Sequence, residues 1–264
     1  MKTLFICGRG ANQKALANKL HAISPLSAIA IIKPLSFNYK YFTLQRLMSV
    51  TVGLPFRHAW TKMMAYYDKK FPDFPSIKIS NHKDVNADSI FSLISIIKPD
   101  LVLISGTNLL KQPLIETILK KGRVINLHTG ISPFIKGGPN CTNWCLALGE
   151  FNLIGNTVMW IDSGIDSGTI ISTEQTLLNG EESISQIHIK VMEHAHDLYL
   201  RCFARISNNL PLPNVPQNNL GKGKLFLTKH WTGLQTLRAV INYYRDFKPN
   251  NISQKNKYPF VKLD

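Results

Sequence analysis

Short apolar runs alternate with segments of helical period along this chain up to about residue 175. Leu101-Val102-Leu103-Ile104-Ser105 shows what that demands. Its consecutive apolar positions leave no polar side for water, so a strand there must be covered on both faces, as in a parallel sheet. Residues 4–7, 28–32, 77–79, 124–128, 154–161 and 169–173 read as further strands. Residues 12–21, 87–97, 113–121 and 140–148 read as helices between them. Such alternation predicts an α/β fold: an open, mostly parallel sheet with helices on both faces. A long amphipathic helix follows over 182–206, capped by Ser183, and then Pro211, Pro213 and Pro216 mark a linker. Residues 1–180 are therefore expected to form one α/β domain, and 181–264 a C-terminal helix and small extension. The extension should hold a short strand near 224–227 and a helix over 233–244.

Residues 37–71 interrupt this plan. They mix aromatic and basic side chains around a break at Gly53-Leu54-Pro55, and read as a helical insertion of two helices. An amphipathic hairpin that packs on the core is the plainer account; stacking on a nucleotide base is the functional one. Lys and Arg outnumber Asp and Glu by 31 to 16, a net charge of +15. That suits an anionic partner, whether nucleic acid, a membrane face or a phosphorylated small molecule, but equally a lysine-rich solvated surface. The basic residues are scattered, so charge alone does not argue for nucleic acid. The apolar run at residues 4–7 is too short for a signal peptide, and no stretch reaches the length of a membrane-spanning helix. A cytoplasmic location is expected. Cys7, Cys141, Cys145 and Cys202 then read as free thiols, and no metal site is expected because no second Cys/His pair completes a tetrahedral set.

The chemistry concentrates in residues 124–175. Asn126 and His128 stand two apart at a strand end and so point to one side of the sheet. Open α/β sheets bind ligands at such carboxyl ends. Asp166 sits in a glycine-framed turn, Asp162-Ser163-Gly164-Ile165-Asp166-Ser167-Gly168. Taken singly, each of these is an ordinary turn or strand-end residue. In order, however, Asn126-Leu127-His128, the Pro- and Gly-containing loop 132–138, the small helix after it, Gly155-Asn156-Thr157 and the turn 162–168 resemble the folate-dependent formyltransferases. The motifs span about fifty residues, and the strand plan extends the likeness over roughly 1–180.

The resemblance implies a Rossmann-like catalytic domain that uses N10-formyltetrahydrofolate as co-substrate and no metal. An amine attacks the formyl carbon, and negative charge develops on the formyl oxygen. Asn126 and His128 would stabilise that charge; loss of one such donor typically costs ~2.7–4 kcal/mol. Asp166 would hold the imidazolium of His128 and relay protons, directly or through water. The loop Thr107, Asn108, Leu109, Leu110 would line the folate pocket, with Asp162 structural or beside the pterin.

Three branches of the family differ in the amine. Methionyl-tRNA formyltransferases add a sizeable C-terminal β-barrel, for which the sequence after the long helix leaves little length, and their Ser-Leu-Leu-Pro is replaced here by Thr129-Gly130-Ile131-Ser132-Pro133. Phosphoribosylglycinamide formyltransferases have a phosphate-binding turn like Gly8-Arg9-Gly10, but neither the insertion nor the extension. The branch acting on nucleotide-linked amino-deoxysugars of bacterial surface polysaccharides, dTDP-sugars of lipopolysaccharide O-antigen among them, matches best. It shares the pattern His128, Gly130, Pro133, Gly137, Trp144 and a short extension. Gly8, Arg9, Gly10, Gly130, Lys136 and Trp144 are then expected to contact an anionic nucleotide sugar, and the resemblance makes a homodimer plausible. The late segment 222–231 is aromatic and basic; it reads most simply as an edge hairpin, otherwise as a cover over substrate or a dimer contact. Outside enzymes, the remaining reading is a degenerate module that binds a sugar nucleotide without turnover.

Overall fold

A strand apolar on both sides needs two layers over it, and the fold supplies both. The computed structural model describes residues 1–33, 51–138, 140–162, 168–252 and 258–263. Its strands are β1 (Thr3–Gly8), β2 (Ala28–Ile32), β3 (Ile79–His82), β4 (Leu101–Ser105), β5 (Arg123–His128), β6 (Ile135–Gly137), β7 (Gly155–Trp160), β8 (Ile170–Gln175) and β9 (Lys224–Phe226). Its described α-helices are α1 (Ala11–Ile23), α2 (Leu54–Lys70), α3 (Asp88–Ile97), α4 (Gln112–Leu119), α5 (Cys141–Leu148), α6 (Ile184–Ser207), α7 (Gly233–Asp246) and α8 (Pro249–Ile252). Seven strands form one sheet in the order β3-β2-β1-β4-β5-β7-β8. The first five pair in parallel, while β7 runs antiparallel to both β5 and β8. The expected Rossmann-like α/β architecture is the one observed.

Strand alternation assigns the faces. Leu4, Ile6, Val102, Ile104 and Val124 pack under Ile90, Leu93 and Ile94 of α3 and Leu114, Ile115 and Ile118 of α4. Phe5, Cys7, Leu101, Leu103, Ile125 and Leu127 pack under Leu16 and Leu20 of α1 and Ala195, Leu198, Tyr199 and Phe203 of α6. Burying each large apolar side chain contributes ~1.5–3 kcal/mol, so these two layers dominate what holds the sheet.

The expected strand at 77–79 lies later, at Ile79–His82, because it is in register with β2 from Ile29↔Ile79 onward. Residues 34–50 lie outside the described ones, and with them 37–50 of the insertion 37–71 and its first expected helix. Gly53-Leu54-Pro55 is the start of α2, with Pro55 in its first turn, where a missing N–H costs nothing. Phe56, Ala59, Met63 and Tyr67 form its buried stripe. Lys14 of α1 pairs with Asp68 of α2 at 2.8 Å, but a pair this exposed is worth ~0–1 kcal/mol. Met63 and Tyr67, both fully buried, outweigh it.

Ser183 caps α6 through a reciprocal exchange with Gln186. Beyond α6 the chain returns to cover the edge of β8. Ile170 and Val215 exchange backbone hydrogen bonds, and Thr173 N–H donates to the Val261 carbonyl at 2.8 Å. Edge strands left open invite pairing with other chains, and this one is covered. The short strand β9 is not an edge hairpin: it pairs in parallel with β6, a strand that three residues containing Lys136 and Gly137 do not announce.

Candidate functional site

The strand order reverses between β1 and β4, which makes the carboxyl ends of these two strands the crevice of the sheet. Main chain builds it. A Cβ on Gly8 would come within 2.6 Å of the Gly106 carbonyl oxygen, so glycine lets the two strand ends close on each other. Gly106 itself has φ +65°, a conformation that favours glycine. Gly8, Arg9 and Gly10 lead from β1 to the N-terminus of α1, and the exposed Arg9 guanidinium donates to Asn81 Oδ1 at 3.2 Å.

On the far side of the crevice lies the loop after β4. Asn108 is tied down: its amide donates to Asp84 Oδ2 at 3.0 Å, and its Oδ1 accepts from Val85 N–H at 3.3 Å. Asn86 spans the same gap, donating to the Leu109 carbonyl and accepting from Lys111 N–H. The Asn86 backbone N–H, foremost, holds the Asp84 carboxyl below its usual range. Thr107 bonds locally to the Asn108 carbonyl, Leu110 joins the core under α3 and α4, and Leu109 is 56% exposed. A rigid loop thus presents an apolar side chain to solvent.

Asn126 and His128 lie on the α3/α4 side of β5, at its carboxyl end. Asn126 is in register with Ile104 of β4 and Met159 of β7, and His128 with Thr157 of β7. His128 is buried, and its Nε2 lies 3.0 Å from the Ile135 carbonyl and 3.6 Å from Cys141 Sγ. A carbonyl only accepts, so Nε2 carries a proton, and the proton His128 can exchange is the one on Nδ1. The Cys141 thiol donates to the Gly137 carbonyl at 3.5 Å. Gly130 is a glycine for want of room: a Cβ there would meet His128 Nε2 at 2.6 Å, Cys141 Cβ at 2.8 Å and the Ile135 carbonyl at 2.9 Å. Its own carbonyl accepts from the Thr157 hydroxyl at 2.7 Å, which fixes the turn after β5.

Asp166 lies in 163–167, outside the described residues. The exposed Asp162 precedes that stretch and Gly168 follows it, where any side chain would overlap the Trp160 carbonyl. Lys136 is half-buried on β6. Trp144 is buried, stacked on Phe226 with centroids 4.5 Å apart and edge-on to Trp231 at 4.9 Å. The structure therefore brings His128, Gly130, Cys141 and β6 together, and sets Gly8–Gly10 and the loop 107–110 around the adjoining crevice.

Sequence reading passed over Tyr199. Its hydroxyl accepts from Ile104 N–H at 3.0 Å and sits 3.0 Å from the Ile125 carbonyl, between β4 and β5 and next to Asn126. The only signal is a tyrosine on the apolar stripe of a long helix. It also passed over a closed network on β8 and α6. Arg201 makes a bidentate pair with Glu174, and His194 Nε2 lies 3.1 Å from the same carboxylate. His194 Nδ1 lies 3.2 Å from the Asn156 amide nitrogen and 3.0 Å from the Thr176 hydroxyl. The His194 hydrogen bond, first, and then Arg201 pull the Glu174 carboxyl down to about 2.

Comparison with known proteins fits this arrangement. A relative from Alkaliphilus oremlandii, a methionyl-tRNA formyltransferase, is 30% identical over 133 residues, which is 50% of this chain and 41% of that protein. The chain spans about half or less of the curated relatives it matches first. The structure of a phosphoribosylglycinamide formyltransferase from Anaplasma phagocytophilum shares the fold at 18% identity, with a TM-score of 0.55 over 79% of this chain and 88% of that one. An N-formyltransferase from Helicobacter canadensis, in complex with folinic acid and dTDP-3-aminofucose, does so at 17% identity, with a TM-score of 0.56 over 92% and 81%. The formyl transferase family profile matches residues 65–203, from α2 through most of α6. That match takes in more than half of the sequence, together with β5 and the loops around His128, and the chain belongs to the formyl transferase family.

Proposed function

We propose that this protein transfers a formyl group from N10-formyltetrahydrofolate to the primary amine of a nucleotide-linked amino-deoxysugar, as a cytoplasmic enzyme of surface-polysaccharide synthesis. The observation that carries the reading is Asn126 and His128 on one face of β5, one strand away from the β1/β4 crevice. The residues present suit a folate: the loop 107–110 is strapped in place and offers Leu109, an apolar surface for a flat pterin. The folate supplies an electrophilic formyl carbon. Asn126 donates its amide N–H to the formyl oxygen as the amine adds and charge builds there, and His128 adds a ring N–H. His128 and Asp166 hold the proton that leaves the amine and return it to the departing N10.

Gly8–Gly10 at the start of α1 suit a phosphate, which favours bare backbone N–H groups at a helix N-terminus, and Arg9 adds positive charge. A nucleotide diphosphate meets that description. So does the monophosphate of glycinamide ribonucleotide, which keeps phosphoribosylglycinamide formylation as the second reading. What favours the sugar nucleotide is the returning C-terminal extension, with β9 beside the site, and the wider span shared with the Helicobacter enzyme's fold. A homodimer belongs to the same proposal.

The test is a screen for tetrahydrofolate release with formyl-folate and a panel of amino-sugar nucleotides, glycinamide ribonucleotide and methionyl-tRNA. Turnover with an amino-sugar nucleotide alone is expected. Turnover restricted to either other amine would move the protein to that branch. Tight nucleotide binding with no turnover for any amine would leave a binding module.

A further inference from the structure

We infer that the C-terminal strand β9 is a positioning element for the His128 imidazole, an inference that rests on the role proposed above for that residue. Two routes connect them. Along the first, β9 holds β6: Lys224 N–H donates to the Phe134 carbonyl at 3.0 Å, and Gly138 N–H to the Phe226 carbonyl at 3.0 Å. The first residue of β6 is Ile135, whose carbonyl accepts the Nε2–H of His128. Along the second, Phe226 of β9 stacks on Trp144 of α5. One helical turn before Trp144 is Cys141, whose sulfur lies against the same ring nitrogen.

Gly137 of β6 and Gly223, the residue before β9, leave the two segments room to approach. A side chain on Gly137 would overlap the Phe226 carbonyl, and one on Gly223 would overlap the Pro133 carbonyl. Gly137 also has φ +86°, so β6 is shaped to receive β9. Phe226 is buried while its neighbour Leu225 is 43% exposed, so the strand is anchored through one ring. Holding the Ile135 carbonyl in place keeps the proton on Nε2 and leaves Nδ1 as the nitrogen that exchanges a proton during the reaction. A small displacement of a reacting group far from any mutated contact can cost ~10²-fold in rate, so loosening β9 should be felt at His128.

The experiment compares the full-length protein with its Phe226→Ala and Phe226→Leu variants, by steady-state kinetics and by 15N NMR of the histidine rings. Phe226→Ala is expected to lower kcat about tenfold, with both KM values within about twofold, and to convert the His128 ring from the Nε2–H form to a mixture of tautomers. Phe226→Leu, which keeps an apolar side chain over Trp144, should recover most of both. A folded Phe226→Ala protein whose His128 ring signals match wild type overturns the inference, whatever its turnover. If that variant does not fold, Lys224→Pro, which deletes the N–H donated to Phe134 and sets a ring against that carbonyl, loosens β9 by a second route and carries the same readouts. A wild-type protein that formylates no amine would remove the proposed reaction, while the ring signals would still decide the positioning.

Discussion

The crevice between β1 and β4 and the corner at the end of β5 lie side by side, yet they are built from different materials. The crevice is main chain: Gly8 against the Gly106 carbonyl, a left-handed turn at Gly106, and the opening of α1. The corner works mainly through side chains: an amide, an imidazole and a thiol, with a single main-chain carbonyl, that of Ile135, helping to hold the imidazole. The contrast follows from the tasks proposed for them. An anion is recognised by N–H groups that any residue carries, provided nothing blocks the approach. Stabilising charge on one oxygen needs particular donors at one place. Substitutions in the crevice should therefore act on binding, and substitutions in the corner on the chemical step.

The largest effect is expected in the corner. His128→Ala should lower kcat by about two orders of magnitude or more while nucleotide affinity stays near wild type, in line with the loss of one charge-stabilising donor. A matching loss of affinity would blur the two regions. In the crevice, Gly8→Ala must push the Gly106 carbonyl away, because main chain directly after a paired strand has no flexible end to move. We expect a KM for the amine substrate raised about tenfold, kcat within about twofold, and a stability loss of ~1–3 kcal/mol typical of overpacking, read by kinetics and denaturant titration. The smallest effect on activity should come from outside both regions. Glu174→Gln should leave neutral-pH turnover unchanged and alter only acid stability. Folding lowers the Glu174 carboxyl from its ordinary 4.5 to about 2, chiefly through its hydrogen bond with His194. The stabilisation it gives is complete above pH 4.5 and is lost as pH falls toward 2. Melting temperature against pH should drop across that window in wild type and be flatter in the variant.

Much of the sheet was legible because its strands carry the burden of their own burial. Leu101–Ile104 and Ala28–Ile32 are apolar throughout, and two covered faces follow from that alone. The strand at Ile79–His82 is mostly polar, and only its partner β2 sets where it begins. β9 was legible at 224–227, but β6 and its pairing with β9 escaped for the same reason in stronger form: each strand is three residues long, and nothing in either names the other as its partner. At the site, the Asn126–His128 spacing was readable because a strand end makes two-residue spacing a shared face. What holds the imidazole was not, since Ile135 contributes a carbonyl that looks the same in every residue. Histidines show the limit most clearly. His188 and His196 are buried like His128, and burial pushes them down to about 4 and about 3, so they are neutral packing groups on α6. Nothing in composition separates them from His128; only position at a strand end, in family order, does.

Asn126, His128 and Asp166 should meet around one formyl group, and a structure with a stable 10-formyl folate analogue bound decides whether they do. The formyl oxygen is expected ~3 Å from the Asn126 amide and from a His128 ring N–H, with the Asp166 carboxylate reaching the imidazole directly or through one water. A folate bound with its formyl group turned away from β5, or an Asp166 carboxylate with no path to the ring, would contradict that arrangement.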